Sequence, residues 1–400
     1  MTNYMSSLEC LRCSAEFSPG YEGYICSNCG SNLDVRYDYD SISSVFSIDI
    51  LLKNKRRDIW RYESLYPFED MKYVPGLDMS LTPLYRNVSL EEETGLKEVY
   101  LKDDTRLPSG SLKDRAGAVV MTVAREKGKE VISCASTGNA GCSWACMAAA
   151  CGVKVVIYVP HSAPRAKIAQ LKVYGAEVNI VDGNYDAAYD LCVGESCRLG
   201  YFNRCTGYNP YTREGKKSVS YEIWEQLGYR VPGAVFVPVG DGNIISGVWK
   251  GFRDLFELKL TDNMPRLYAV QSSRSDAIVK TLKKIKSKKD IRFEDVNIEP
   301  VNASTRADSI SVDSPRDGIA ALRSVLETNG DGICVEDEYI LTNIYYLAGI
   351  SGIFAEPAGV TSVAGLRHFI CTNEEEISGP VVCLITGNGL KDVDAVLKGN

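Results

Sequence analysis

Four short segments of this chain carry residue types that could do chemistry together. The first is Pro108-Ser109-Gly110-Ser111-Leu112-Lys113-Asp114-Arg115, a lysine in a Gly/Ser-rich turn ahead of a helical stretch. A lysine amine can form a Schiff base with an aldehyde, and once displaced it can carry a proton. The second segment, Ser136-Thr137-Gly138-Asn139, follows the apolar run Val131 to Cys134 and opens a helix. Free N–H groups at a helix start suit a carboxylate, and Asn139 can reach a cofactor hydroxyl. Plain helix capping by Ser136 or Thr137 is the alternative. The third segment is Gly240-Asp241-Gly242-Asn243, whose glycines let backbone approach a phosphate closely. The next glycine is Gly247, which gives GxGxxxxG and not the GxGxxG of a dinucleotide site. The fourth is Thr386-Gly387-Asn388-Gly389. A threonine hydroxyl is a neutral partner for a pyridine nitrogen, which suits elimination and replacement better than transamination. An aldehyde, a phosphate and a pyridine ring together describe pyridoxal phosphate.

These segments need a scaffold that brings them to one place. From Val99-Tyr100-Leu101-Lys102 onward the chain alternates apolar strand-like runs with helical stretches. Strands are expected at 130–135, 154–159, 177–181, 234–239, 267–271 and 381–386, and helices at 114–127, 140–150, 163–174, 186–199 and 244–256. This alternation predicts an α/β fold with largely parallel sheets, in which ligands gather at the carboxyl ends of the strands. All four segments fall at such ends. The 400 residues are too many for one small core. The expected division is a ribbon over 1–40, a helical extension over 41–80 with a helix near Ile59 to Tyr66, and a body over 81–400. A smaller subdomain, roughly 125–225, is inserted in that body.

The ribbon rests on cysteine spacing. Cys10-x2-Cys13 and Cys26-x2-Cys29 lie twelve residues apart. Paired CxxC knuckles bring four thiolates to one point, as tetrahedral zinc requires, and a four-cysteine site leaves no open position, so its role is structural. The other ten of the fourteen cysteines are scattered through apolar segments and read as buried thiols in a reducing cytoplasm. The net charge of −7 and the scarcity of basic residues in the ribbon argue against nucleic acid, and no apolar run is long enough to span a membrane. Six lysines in residues 280–289 read as a solvated helix face. With two histidines, His161 and His368, no HExxH and no Gly-x-Ser-x-Gly, zinc-protease and serine-hydrolase chemistry lack their residues.

The ordered set of Lys113, Ser136-Thr-Gly-Asn139, Gly240-Asp-Gly-Asn243 and Thr386-Gly-Asn-Gly-Leu-Lys391-Asp392 resembles threonine synthase, in the tryptophan-synthase-β-like group of pyridoxal-phosphate enzymes (fold type II). The likeness covers roughly residues 78 to 395, and some members carry a similar amino-terminal ribbon. It implies a two-domain fold and a homodimer. It implies that Lys113 bonds the cofactor and acts as the catalytic amine, and that Asn139 bonds the ring hydroxyl. Gly240, Asp241, Gly242, Asn243 and Ile244 would hold the cofactor phosphate, and Thr386 would face the ring nitrogen. Ser136, Thr137 and Gly138 would bind the substrate carboxylate, with Ser111 and Arg213 also toward the substrate. The implied reaction converts O-phosphohomoserine and water to threonine and phosphate. β-Replacement or β-elimination on O-phosphoserine, as in cysteate synthase, is the alternative. Two departures bear on the substrate phosphate: Ala140 follows the STGN motif where relatives carry threonine, and Thr212 stands where relatives often carry arginine, one position before Arg213. Glu356, in Ala355-Glu-Pro-Ala-Gly359, resembles a family segment near the cofactor, with helix-start capping as its other reading.

Overall fold

The computed structural model describes residues 3–397 apart from 137, 162, 164, 289 and 374. Ala234–Pro238 and Val381–Ile385 are buried at every position, as strands covered on both faces must be. They form the middle of a six-stranded sheet ordered Asp331–Val335, Arg266–Ser272, Ala234–Pro238, Val381–Ile385, Val99–Asp103, Leu84–Arg86. Five strands run parallel, and the short edge strand Leu84–Arg86 is antiparallel. Ala234 lies opposite Val381, and Val381 opposite Val99. This register brings the carboxyl ends level, so the chain leaves toward Gly240, Thr386 and the lysine turn at one edge of the sheet.

A second sheet, all parallel, is ordered Glu177–Val181, Lys154–Pro160, Val131–Ala135, Phe202–Asn203. All its strands fall in sequence between Val99–Asp103 and Ala234–Pro238. Its strand Val131–Ala135 delivers Ser136 to the cleft between the sheets. Between them runs the helix Lys113–Glu126, buried from Asp114 to Ala124 and packed on the helices Asn139–Cys151 and Tyr211–Lys216.

That helix is anchored by charge. Arg115 is fully buried; its Nε donates to Asp104 Oδ2 at 2.7 Å, its Nη2 to Thr82 Oγ1 at 2.9 Å, and its Nη1 to Ser218 Oγ at 3.0 Å and to Glu222. Lys102 Nζ approaches the same Glu222 carboxylate at 2.6 Å. Burial alone would raise the Glu222 pKa, but Arg115 and Lys102 hold it down at about 2. Such a network is worth little over an apolar replacement, yet losing one member leaves a buried charge unpaired.

The ribbon forms a three-stranded antiparallel sheet with Met5–Cys10 between Glu16–Phe17 and Leu33–Tyr37. It is not a loose appendage. Asp34 is buried against Arg213 (2.9 Å) and Lys250 (3.2 Å), and Tyr37 Oη donates to Glu214 Oε2 at 2.6 Å. The extension is short helices, Tyr39–Ser43 and Ile48–Lys53, followed by 3-10 segments. The helix expected over Ile59 to Tyr66 is a 3-10 stretch, Ile59–Leu65, ending where Tyr66 precedes Pro67 and must leave the helical region. Three late helices, Gly318–Glu327, Asp337–Ser351 and Pro357–Thr372, complete the cover of the larger sheet. Among the described residues no helix is long and apolar enough to cross a membrane.

Replacing Arg115 with alanine takes from the buried Asp104 its ion-pair partner and leaves Glu222 with Lys102 alone. Chemical denaturation is expected to show a loss of about 3–5 kcal/mol; a change below about 1 kcal/mol would mean that the network does not anchor the helix.

Candidate active site

Lys113 is the first residue of its helix, and its turn is stitched to the strand end opposite. Leu112 N donates to Thr386 O at 2.9 Å, Ser111 pairs with Gly387, and Asn388 N donates to Gly110 O at 3.0 Å. Asp114 fixes the other side, accepting from Ser109 N and Ser109 Oγ, both at 2.6 Å. The lysine amine faces a cavity of about 400 Å³. Burial lowers its pKa from 10.5 to about 8, although Glu356 and Asp241 pull the other way. An amine at that value is free for a good fraction of the time near neutral pH, as a nucleophile and proton carrier requires.

Ser136, Gly138, Asn139 and Ala140 line the same cavity. Ser136 Oγ accepts from Gly138 N (3.2 Å) and Gly141 N (3.1 Å), so this hydroxyl does cap the turn and leaves the loop and helix start for a ligand. Asn139 Nδ2 donates to Glu356 Oε1 at 2.5 Å. Glu356 occupies the N-cap position of Pro357–Thr372 but makes no side-chain cap bond. Its carboxyl turns instead toward Asn139 and Gly387, and burial raises its pKa. Of the two readings of Glu356, the geometry carries the one near the cofactor segments.

Gly240, Asp241, Gly242, Asn243 and Ile244 also line the cavity, at the start of the helix Asn243–Glu257. Gly242 has φ +94, and a Cβ there would meet Ala321 Cβ and Asp317 O, each at 2.8 Å. Only glycine allows this loop to fold back so that backbone N–H groups at the helix start point outward. Asp317 holds the loop from behind. Its N–H donates to Asp241 O at 2.9 Å, and its carboxylate accepts from Asn243 Nδ2 (2.6 Å), Ser246 Oγ (2.7 Å) and Arg213 Nη2 (2.7 Å).

The remaining residues singled out above divide. Ser111 is fully buried beside the lysine turn, with no hydrogen-bond partner for its Oγ among the described residues. Thr386 is buried at the strand end, next to Leu112. Neither is among the cavity-lining residues. Arg213 does not reach the cavity at all. Its guanidinium binds Asp34, Asp317, Leu33 O and Ser246 Oγ, because the helix Tyr211–Lys216 turns that position toward the ribbon. The cavity cation on this helix is Lys216, which the sequence reading passed over. The signal was available: Lys216 lies one helical turn after Thr212, on the same face. Thr137 lies outside the described residues.

A phosphate-bearing aldehyde fits this set. The glycine loop packs so tightly on Asp317, Ala321 and Ile310 that a Cβ at Gly240 or Gly242 would clash, which leaves its backbone for a phosphate, and the Lys113 amine is desolvated. In the ribbon, the sulfurs of Cys10, Cys13, Cys26 and Cys29 lie within 4.8 Å of one another, with Cys10 and Cys29 Sγ 3.4 Å apart. Four thiolates so disposed suit one tetrahedral metal ion, with no coordination position left over.

Residues 77–387 match the family model described as pyridoxal-phosphate dependent enzyme. The chain is 35% identical to a threonine synthase of Methanocaldococcus jannaschii over 98% of its own length and 94% of that protein's. It is 36% identical to a threonine synthase of Methanosarcina acetivorans, with the same coverage of each. The chain belongs to the pyridoxal-phosphate-dependent enzymes and, within them, to the threonine synthase family. Solved structures of the same fold include maize serine racemase (TM-score 0.67, 20% identity, covering 80% of this chain and 91% of that one). A threonine deaminase from Solanum lycopersicum is equally similar (TM-score 0.67, 20% identity, 79% and 86%).

The depressed Lys113 pKa has a measurable consequence for family chemistry. The rate at which cofactor-free protein captures pyridoxal phosphate should rise with pH and level off above about 8, where the amine is free. A rate still climbing in proportion to hydroxide at about pH 9.5 would put the amine near its ordinary value and contradict the desolvated site.

Proposed function

We propose that this protein is a threonine synthase, converting O-phosphohomoserine and water to threonine and phosphate. The near-full-length likeness to two threonine synthases carries the reading, and the convergence of Lys113, Asn139 and the glycine loop on one cavity supports it. Pyridoxal phosphate, when bound, supplies an electron sink for bonds broken next to the substrate's amino group. Lys113 would hold its aldehyde carbon, Asn139 its ring hydroxyl, Thr386 its ring nitrogen, and the backbone of Gly240, Asp241, Gly242, Asn243 and Ile244 its phosphate. The neutral Thr386 leaves the ring nitrogen without a counter-charge, which favours elimination and replacement.

The remaining work falls to side chains. The loop Ser136 to Gly138 and the helix start at Asn139 orient the substrate carboxylate through backbone N–H groups. Lys113 would remove the proton from Cα and then one from Cβ, and would return protons to Cγ and Cα. The Cγ–O bond would break with its electron pair going to phosphate, and water would add its hydroxyl at Cβ, its proton balancing the charge on the departing phosphate. Glu356 steadies Asn139 through its hydrogen bond and raises the amine's proton affinity from nearby.

Zinc is the proposed ribbon metal, since four cysteine thiolates in a closed tetrahedral set suit it. The division into ribbon (1–40), extension (41–80) and body (81–400), with a smaller unit near 125–225 inserted, is proposed with it. So are a homodimer and a cytoplasmic location, the latter supported by fourteen cysteines none of which forms a disulfide.

Purified protein supplied with O-phosphohomoserine should release phosphate and threonine in equal amounts, and O-phosphoserine should release neither at a comparable rate. Phosphate and oxoacid from O-phosphoserine, with none from O-phosphohomoserine, would replace this reading by β-elimination. Elemental analysis should find one zinc per chain, lost in Cys13→Ser together with about 2 kcal/mol or more of stability. Metal-free protein with unchanged stability in that variant would remove the metal site.

A further inference from the structure

The cavity is lined by Lys113 and Lys216 and by the carboxylates of Asp186, Asp241, Asp308 and Asp313. Each carboxylate has its own partner. Asp186 pairs with Arg316 at 2.5 Å, and Asp308 with Lys167. Asp241 accepts from Arg316 N at 3.1 Å, and Asp313 from Ala303 N at 2.7 Å. Lys216 is different. It is 1% exposed, and its ammonium donates to an uncharged acceptor, Asn243 Oδ1, at the mouth of the glycine loop. The helix Asn243–Glu257 leaves a slot for it: a methyl group at Gly247 would come within 2.7 Å of Lys216 Cβ.

Such a group is costly. Burial pushes the Lys216 pKa well below 10.5, Lys113 and Arg204 push it further, and Asp317 and Asp241 recover only part. Arg204 is itself fully buried, with Nε and Nη2 unpartnered among the described residues. A buried positive region without a matching anion is a preformed anion site. Two phosphates enter this cavity if the proposed reaction holds. The cofactor's is served by the glycine loop and the helix N-terminus, which are neutral donors. Lys113 is committed to the aldehyde, so Lys216 is the remaining lining cation among the described residues.

We infer that Lys216 binds the phosphate of the amino-acid substrate and thereby sets the enzyme's preference for phosphorylated substrates; this rests on the reading of the reaction given above. The ammonium offsets half of the dianion's charge on binding and stabilises the charge that accumulates on it as the Cγ–O bond breaks. Binding of the dianion favours the charged form of the amine.

The holoprotein and its Lys216→Gln and Lys216→Arg variants are titrated with O-phosphohomoserine and with homoserine, the same amino acid without phosphate, following the absorbance of the bound cofactor. Glutamine can still donate to Asn243 Oδ1, so packing is kept while charge is removed. The glutamine variant should bind O-phosphohomoserine about a hundredfold more weakly. It should bind homoserine and pyridoxal phosphate as the parent does, and the arginine variant should recover most of the loss. Equal affinity in parent and glutamine variant overturns the assignment, as does a parallel loss for homoserine. A loss confined to pyridoxal phosphate also overturns it and gives Lys216 to the cofactor's phosphate. If the parent binds O-phosphohomoserine without forming threonine, the proposed reaction fails while the affinity comparison still decides Lys216. A parent that binds no phosphorylated amino acid overturns both.

Discussion

Two lysine amines share one buried cavity, and the cost of keeping both there shapes the site. Each is desolvated, Arg204 lowers both, and Lys113 lowers Lys216 further, so neither stays at the ordinary lysine value. Their surroundings then separate them. Lys113 sits at a helix start near Glu356 and Asp241, whose carboxylates limit its fall to about 8. Lys216 sits at a helix end, hydrogen-bonded to an amide oxygen, with Lys113 and Arg204 disfavouring its charge. The first arrangement makes a reactive amine; the second makes a cation in need of an anion.

Holding such a pair requires a stiff frame, and the frame reaches far along the chain. Asp317 gathers Asn243, Ser246 and Arg213, and Arg213 hands the connection on to Asp34 in the ribbon. The ribbon therefore braces the back of the phosphate loop at a distance from any chemistry. On the opposite side, Arg115 locks the lysine helix to Asp104 and Glu222. Both braces are buried charge networks, which specify geometry more than they add stability. The active-site segments come from four strand ends in two sheets, so only long-range braces can fix their spacing.

How much of this is legible in the sequence follows from the range of the interactions. Strands such as Val381–Ile385 are uniformly apolar because both faces are covered, and the glycine loop and the lysine turn announce themselves through backbone demands that only certain residues meet. The stretch from 318 to 372 is harder. Its helices are apolar around much of their circumference, and the edge strand Asp331–Val335 is only partly buried, so neither period stands out. Arg213 and Lys216 are the instructive pair. Local sequence points to Arg213 as the cavity cation, yet its partners Asp34 and Asp317 are 179 and 104 residues away, and they draw it into the frame. Glu356 gave two readings for the same reason: its partner Asn139 is 217 residues distant.

The central claim is that Lys113, and not the neighbouring Lys216, forms the covalent bond to pyridoxal phosphate. Hydride reduction of the holoprotein followed by peptide mapping tests it directly. The account predicts a pyridoxyl group on the peptide that carries Lys113 and none on the peptide that carries Lys216. Label on Lys216, or no label on the Lys113 peptide, would contradict it.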